Sequence, residues 1–227
     1  MLKYKLLIID WGDTICNTTG TYNKISSQIL SIFAKHGINL TADDYLRLSF
    51  KVRNDLRHEF KGDIKRHAVG LHEKRIAMEL GRTITDEEAQ KIDAEIFELF
   101  LDNLSARDGT EVFLQEAKER SIRIFLISNS NKDRLYAEIN ALGFMKYFDK
   151  VICSQECGYE KSGLAPYKMA LEEAIKNKWI ESASDVLAVG DREEEDGSAR
   201  ILGIEVYIIN KNAPDAFARV RATLHNE

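Results

Sequence analysis

Proline occurs only twice in the 227 residues, at Pro166 and Pro214. So little proline excludes a Pro-rich linker, and domain boundaries have to be read from periodicity instead. Cysteine is nearly as scarce. Cys16, Cys153 and Cys157 form an odd set with neither zinc spacing nor a disulfide framework, which predicts reduced thiols in a cytoplasmic protein. Long apolar runs are missing too. Lys3 and Lys5 precede only four apolar residues before Asp10, too few for a signal peptide or a membrane span. Positive charge is not in excess: 32 Lys and Arg against 37 Asp and Glu give a formal net charge of −5. That balance gives no general attraction to nucleic acid or to an acidic membrane. Repeats and low-complexity tracts are absent.

What is there is a chain 44% hydrophobic, with room for a large buried core. Residues 4–9 read as a short buried strand ending at Asp10. From about Thr21 to Ser105 the pattern is helical. Ile25, Ile29, Ile32 and Phe33 share a face, Thr41 with Asp43 and Asp44 marks a helix start, and Thr85-x-x-Glu88 is a capping box. After Asp108-Gly109-Thr110 strands and helices alternate. Strands are expected at 122–127, 150–154, 185–191 and 204–209, and helices at 111–120, 132–142, 166–178 and 196–202, with Gly143 as a helix stop. Such alternation predicts an α/β fold with a parallel sheet covered by helices on both faces, and a helical module inserted after the first strand.

In open parallel sheets, ligands bind beyond the carboxyl ends of the strands. The residues at those ends are Asp10-Trp11-Gly12-Asp13-Thr14, Ser128-Asn129-Ser130, Glu160-Lys161, and Gly190-Asp191 followed by Asp196. A carboxylate nucleophile approaching an anionic phosphate is opposed by Coulomb repulsion. A divalent cation shared by Asp10 and Asp191 removes that opposition, and hard carboxylate oxygens suit Mg²⁺. The candidate metal ligands are therefore Asp10, the backbone carbonyl near Gly12, Asp191 and Asp196. Trp11, Gly12, Thr14, Ser128, Asn129 and Lys161 are the candidate phosphate-holding residues, with Lys161 neutralising charge. Trp11 reads as a wall of the pocket or of a domain interface.

These residues resemble the haloacid dehalogenase-like hydrolases. The family's Asp-x-Asp-Gly-Thr reads Asp10-Trp11-Gly12-Asp13-Thr14 here. Its Ser or Thr after a strand is Ser128, its Lys with an aromatic six residues on is Lys161 with Tyr167, and its Gly-Asp with a second Asp is Gly190-Asp191 with Asp196. The resemblance implies a Rossmann-like core, residues 1–18 plus 106–227, with an all-helical cap over 19–105. It implies catalysis by Asp10, Ser128, Lys161 and Asp191, an aspartyl-phosphate on Asp10, Mg²⁺ as cofactor and a small phosphorylated metabolite as substrate.

Two positions depart from the family. Gly12 replaces the aspartate that protonates the leaving oxygen and then activates water, help worth about 10²–10⁴-fold in rate. Asp13 stands one residue further on, where an extended or turning backbone aims its side chain elsewhere. Ser162 replaces the usual proline after Lys161, which is expected to loosen that loop. The chain therefore reads as a phosphatase suited to good leaving groups. The alternatives are a 2-haloacid dehalogenase or phosphonatase-type hydrolase, the latter needing a Schiff-base lysine such as Lys51, Lys61 or Lys65, and a non-enzymatic phospho-ligand-binding or interaction protein.

Residues 51–75 carry eight Lys or Arg against four Asp or Glu, with His58, His67 and His72. A run of this kind is ordinarily a solvated helical face. Arg53 and Arg57, one turn apart, are its best pair for gripping a remote acidic group of a substrate.

Overall fold

In the computed structural model, residues 3–211, 213 and 215–225 are described. Pro214 lies outside them. The chain divides into two compact units, residues 1–18 with 105–227, and residues 19–104.

The first unit is built on five parallel strands: β1 (Leu6–Ile9), β2 (Arg123–Ser128), β3 (Lys150–Cys153), β4 (Val186–Gly190) and β5 (Glu205–Ile208), in the order β3-β2-β1-β4-β5. β1 pairs with β2 through Leu6↔Arg123 to Ile9↔Leu126, and with β4 through Leu6↔Val186 to Ile9↔Val189. It is the central strand and is buried on both faces, which is why it carries four consecutive apolar residues rather than an alternation. Leu6 and Ile8 join Phe125, Ile127, Ile152, Val186 and Ala188 in one core that packs on Tyr167, Ala170 and Ala174. Burying each such large side chain contributes about 1.5–3 kcal/mol. The ladder runs past the formal start of β1, since Lys5 N–H donates to Asp185 O and Lys5 O accepts from Arg123 N–H.

The helices of this unit are α6 (Thr110–Glu119), α7 (Lys132–Ala141), the single turn α8 (Ser154–Cys157), α9 (Ala165–Lys176) and α10 (Ala218–His225). Two of these helices, α7 and α9, begin where the local chemistry dictates. Asn131 caps α7 by accepting from the N–H groups of Asp133 and Arg134, and Pro166 sits in the first turn of α9, where no N–H is needed. Gly143 closes the turn after α7 with a φ of +67°. Asp196–Leu202 is wound as a 3₁₀ helix rather than the α-helix expected there. Short connectors favour that tighter winding.

The second unit contains α1 (Thr18–Lys24, whose first residue belongs to the first unit), α2 (Ser26–Lys35), α3 (Ala42–Glu59), α4 (Leu71–Glu79) and α5 (Asp86–Asn103), and no strand among the described residues. Thr41 caps α3 by accepting from Asp44 N–H. Thr85 and Glu88 form the reciprocal box at the start of α5. Ile25, Ile29 and Phe33 are fully buried, with Ile32 at the margin of the same face.

The chain leaves and re-enters the first unit through paired connections. Cys16 bridges Ala106, Asn17 N–H donates to Ser105 O, and Arg107 N–H donates to Ile15 O.

Candidate active site

Because β1 is central, the residue that leaves it lies between the exits of β2 and β4. That residue is Asp10, whose N–H donates to Val189 O at 2.9 Å. The chain passes from β1 to β2 on one side and later to β4 on the other. Asp10 therefore sits at the switch point where such sheets bind ligands.

Asp10 is buried and both its oxygens are engaged. Lys161 Nζ donates to Oδ1 at 2.5 Å, and Thr14 Oγ1 donates to Oδ2 at 2.9 Å. Lys161 is buried as well and also donates to Asp196 Oδ1 at 2.6 Å. Burial pushes the Asp10 carboxyl up to about 7 against the pull of Lys161, with Asp196 and Asp191 pushing the same way as burial. Burial works to lower the Lys161 ammonium, but Asp10 and Asp196 outweigh it and hold it well above the ordinary lysine range. A buried cation between two carboxylates is stable because each compensates the other's desolvation.

The Lys161 main chain is pinned at both ends. Its N–H donates to Asn129 Oδ1 at 2.8 Å, and its carbonyl accepts from Ser198 Oγ at 3.2 Å. Ser162 itself is exposed. The looseness expected from losing a proline is thus met by hydrogen bonds from two other segments. Asn129 also donates to Glu195 Oε2 at 3.0 Å, so its side chain links Lys161 to Glu195. Ser128 is buried at the end of β2. The turn after it is fixed by Ser154, whose Oγ accepts from Ser130 N–H at 3.0 Å.

Asp196 accepts from Lys161, from the N–H groups of Asp191 and Arg192 at 3.1 Å each, and from Tyr167 Oη at 3.4 Å. This explains Gly190: a Cβ there would overlap the Asp196 carboxyl. Asp191 Oδ2 accepts from Lys211 Nζ at 2.8 Å. Burial raises the Asp191 carboxyl, opposed by Lys211 and reinforced by Asp196.

Carboxylate oxygens of Asp10, Asp191 and Asp196 lie within 4.8 Å of one another. Three hard oxygen donors so close, with only one buried lysine among them, fit a divalent cation such as Mg²⁺. Asp13 is not a member of this set. It takes a left-handed φ of +56°, a conformation that aspartate tolerates better than most residues, and its carbonyl accepts from Arg107 Nε at 3.0 Å. Gly12 has no positive φ, and a Cβ built on it would meet only Thr18 Oγ1, at an ordinary 3.6 Å. The glycine is therefore not demanded by the backbone.

Trp11 follows Asp10 directly. Its side chain is buried, the indole N–H donates to Glu138 Oε2 at 2.6 Å, and the ring meets Phe148 edge-on at 6.5 Å. A large amphipathic ring finds both apolar cover and an acceptor there. Its carbonyl braces the loop, accepting from the N–H groups of Thr14, Ile15 and Cys16. Cys16 is fully buried, and burial pushes its thiol far up, as expected of an inert small side chain.

Arg53 and Arg57 lie on α3 of the helical unit, where Arg53 Nε donates to Ser49 O. Of the candidate Schiff-base lysines, Lys51 is exposed and paired with Asp55 and Glu79. Those hydrogen bonds raise its ammonium, the opposite of what an amine nucleophile requires. Lys211, Ser198 and Arg107 lie outside the motifs and had no sequence signal, whereas Asn129 was already singled out at its strand end and only its bracing of Lys161 is new. Each is brought to the site by a separate loop.

The model of the haloacid dehalogenase-like hydrolases matches residues 4–203. Glyceraldehyde 3-phosphate phosphatase of Methanothermobacter thermautotrophicus is 24% identical over 219 residues, covering 93% of this chain and 88% of that protein. Among solved structures, the Bacillus subtilis protein YfnB, described as a HAD-hydrolase and bound to magnesium, aligns with a TM-score of 0.80 at 15% identity, over 99% of this chain and 100% of that one. L-2-haloacid dehalogenase from Xanthobacter autotrophicus, with chloropropionic acid covalently bound, aligns with a TM-score of 0.66 at 16% identity, over 98% and 85%. At these identities the structural likenesses establish the fold.

Proposed function

We propose that this chain, which belongs to the haloacid dehalogenase-like hydrolase family, is a Mg²⁺-dependent phosphatase acting on a small phosphorylated metabolite. The observation that carries the reading is the buried Asp10–Lys161–Asp196 array, with Asp191 close enough to complete a three-carboxylate cation site. The relative named glyceraldehyde 3-phosphate phosphatase supports a substrate of that class.

In this reading an Asp10 oxygen attacks phosphorus in line. The bond to the leaving oxygen breaks, and an aspartyl-phosphate forms on Asp10. Water then attacks phosphorus, releasing inorganic phosphate and returning the Asp10 carboxylate. Lys161, Ser128 and the main-chain N–H groups of Asn129, Trp11 and Gly12 hold the phosphoryl oxygens as charge develops. Asp10, Asp191, the Gly12 carbonyl and Asp196 would hold the Mg²⁺, which supplies electrostatic shielding between nucleophile and phosphate. With Gly12 in place of an acid, the leaving oxygen departs without protonation by a side chain, which favours acyl and aryl phosphates. The helical unit is the proposed substrate-selecting cap. Within it, Arg53 and Arg57 are assigned to a second acidic group of the substrate.

The test is a metal-dependent screen of acyl, aryl and alkyl phosphates, with Asp10→Asn as the control. Aryl and acyl phosphates should turn over with Mg²⁺ and stop with chelator. Alkyl esters should be slower by about 10²–10⁴-fold. Turnover by Asp10→Asn, or equal rates for alkyl and aryl esters, refutes the mechanism. Replacing Arg53 and Arg57 together by Ala should raise KM with little change in kcat.

Gly12 also favours a second reading. Attack of Asp10 on carbon, with halide leaving, needs neither an acid at that position nor a metal. Halide release from 2-chloropropionate that is indifferent to chelator would establish it in place of phosphoryl transfer.

A further inference from the structure

Arg107 belongs to no motif at a strand end, yet it joins two loops that flank the carboxylate cluster. It follows the helical unit by three residues. Its Nε donates to Asp13 O at 3.0 Å, in the turn three residues beyond Asp10. Its Nη1 donates to Lys211 O at 2.8 Å, in the loop after β5. Lys211 in turn donates through Nζ to Asp191 Oδ2 at 2.8 Å. The Arg107 N–H donates to Ile15 O, fixing the root of the arginine side chain.

The chemistry of the guanidinium suits this task. It is planar, always charged, and presents several N–H donors at fixed angles, so one side chain serves two carbonyls at once. Both carbonyls lie in irregular turns without a strand ladder, and Asp13 holds a left-handed φ there.

We propose that Arg107 is a positioning residue for the cation site. It fixes the turn that follows Asp10, and through Lys211 it sets the orientation of Asp191. This rests on the Mg²⁺ reading of the carboxylate cluster given above. Residues that orient metal ligands without touching the metal commonly govern its affinity.

The experiment is calorimetric titration of Mg²⁺ into the wild-type chain, Arg107→Ala, Arg107→Lys, Lys211→Met and the Arg107→Ala/Lys211→Met pair. Thermal unfolding in chelator and the Mg²⁺ dependence of p-nitrophenyl phosphate turnover accompany it. Arg107→Ala should weaken Mg²⁺ binding about 10-fold or more. Arg107→Lys, whose ammonium reaches one carbonyl at a time, should fall between. The double variant should lose less than the product of the two single losses, because both act on one path.

A lowered melting temperature with unchanged Mg²⁺ affinity makes Arg107 a staple only and overturns the proposal. So does unchanged affinity in Arg107→Lys, should Arg107→Ala not fold. Multiplicative losses in the double variant overturn the route through Lys211. If the wild-type chain binds no Mg²⁺, the cation site itself falls, and this proposal falls with it.

Discussion

Lys161 Nζ lies 2.5 Å from Asp10 Oδ1 and 2.6 Å from Asp196 Oδ1, with all three side chains buried. Residues separated by 151 positions thus share one proton-rich contact in the interior. Removing the cation leaves two carboxylates without compensation. Lys161→Met should abolish turnover and destabilise the fold by about 3–5 kcal/mol near pH 8. A carboxyl raised by burial holds its proton more tightly in the folded state, so folding stability falls as pH rises through that range. The penalty of Lys161→Met should therefore be smaller at pH 5 than at pH 8. Denaturant unfolding of both proteins at the two pH values checks it, and an equal loss at both argues against an ion pair.

Gly12 is no steric requirement, because a Cβ there meets only Thr18 Oγ1 at 3.6 Å. Gly12→Asp should fold normally and selectively accelerate the hydrolysis of alkyl phosphates, by about 10²-fold or more, with a smaller gain on aryl phosphates. The ratio of the two kcat/KM values is the readout. A uniform change would mean that leaving-group protonation was not what Gly12 removed.

Asn129 braces Lys161 by accepting its N–H and donating to Glu195. Asn129→Ala should cost about 1–3 kcal/mol of stability by leaving a polar group unpaired, and should lower kcat more than it raises KM. Steady-state kinetics beside thermal unfolding separate the two effects. A change confined to KM would place Asn129 on the substrate instead.

Burial pushes the Glu138 carboxyl up to about 7, against the Trp11 indole N–H and Arg134, which favour its ionised form. The folded state thus binds this proton more tightly than the unfolded state. Glu138 contributes stability that is complete below about pH 4.5 and is lost as pH rises to about 7. Glu138→Gln keeps an acceptor for Trp11 and should flatten that part of the stability–pH profile. An unchanged slope would assign the pH dependence elsewhere, with Asp10 the first alternative.

Much of the fold was legible because local chemistry decides local structure. Thr85 with Glu88, Thr41 with Asp44, and the all-apolar run Leu6–Ile9 each specify their element within a few residues. Strand exits were equally readable, since a parallel sheet forces Asp10, Ser128 and Asp191 toward one edge once the alternation is recognised. The partner of Trp11 was not legible, because nothing near it in sequence announces Glu138, an acceptor 127 positions away. The winding of Asp196–Leu202 was misread because periodicity alone does not separate a short 3₁₀ helix from two turns of α-helix.

By itself the sequence determined the succession of strands and helices along the chain, the residue types at each strand end and the glycine at position 12, because these depend on side-chain chemistry and short-range spacing. Only the tertiary structure decided which atoms meet. It put Lys161 between Asp10 and Asp196, turned Asn129 onto the Lys161 backbone, and brought Lys211 to Asp191. It also gave Arg107 its two carbonyls. Those contacts join loops far apart along the chain. Loop positions are set by how helices and strands pack, a sum of many weak contacts that no single stretch of sequence contains.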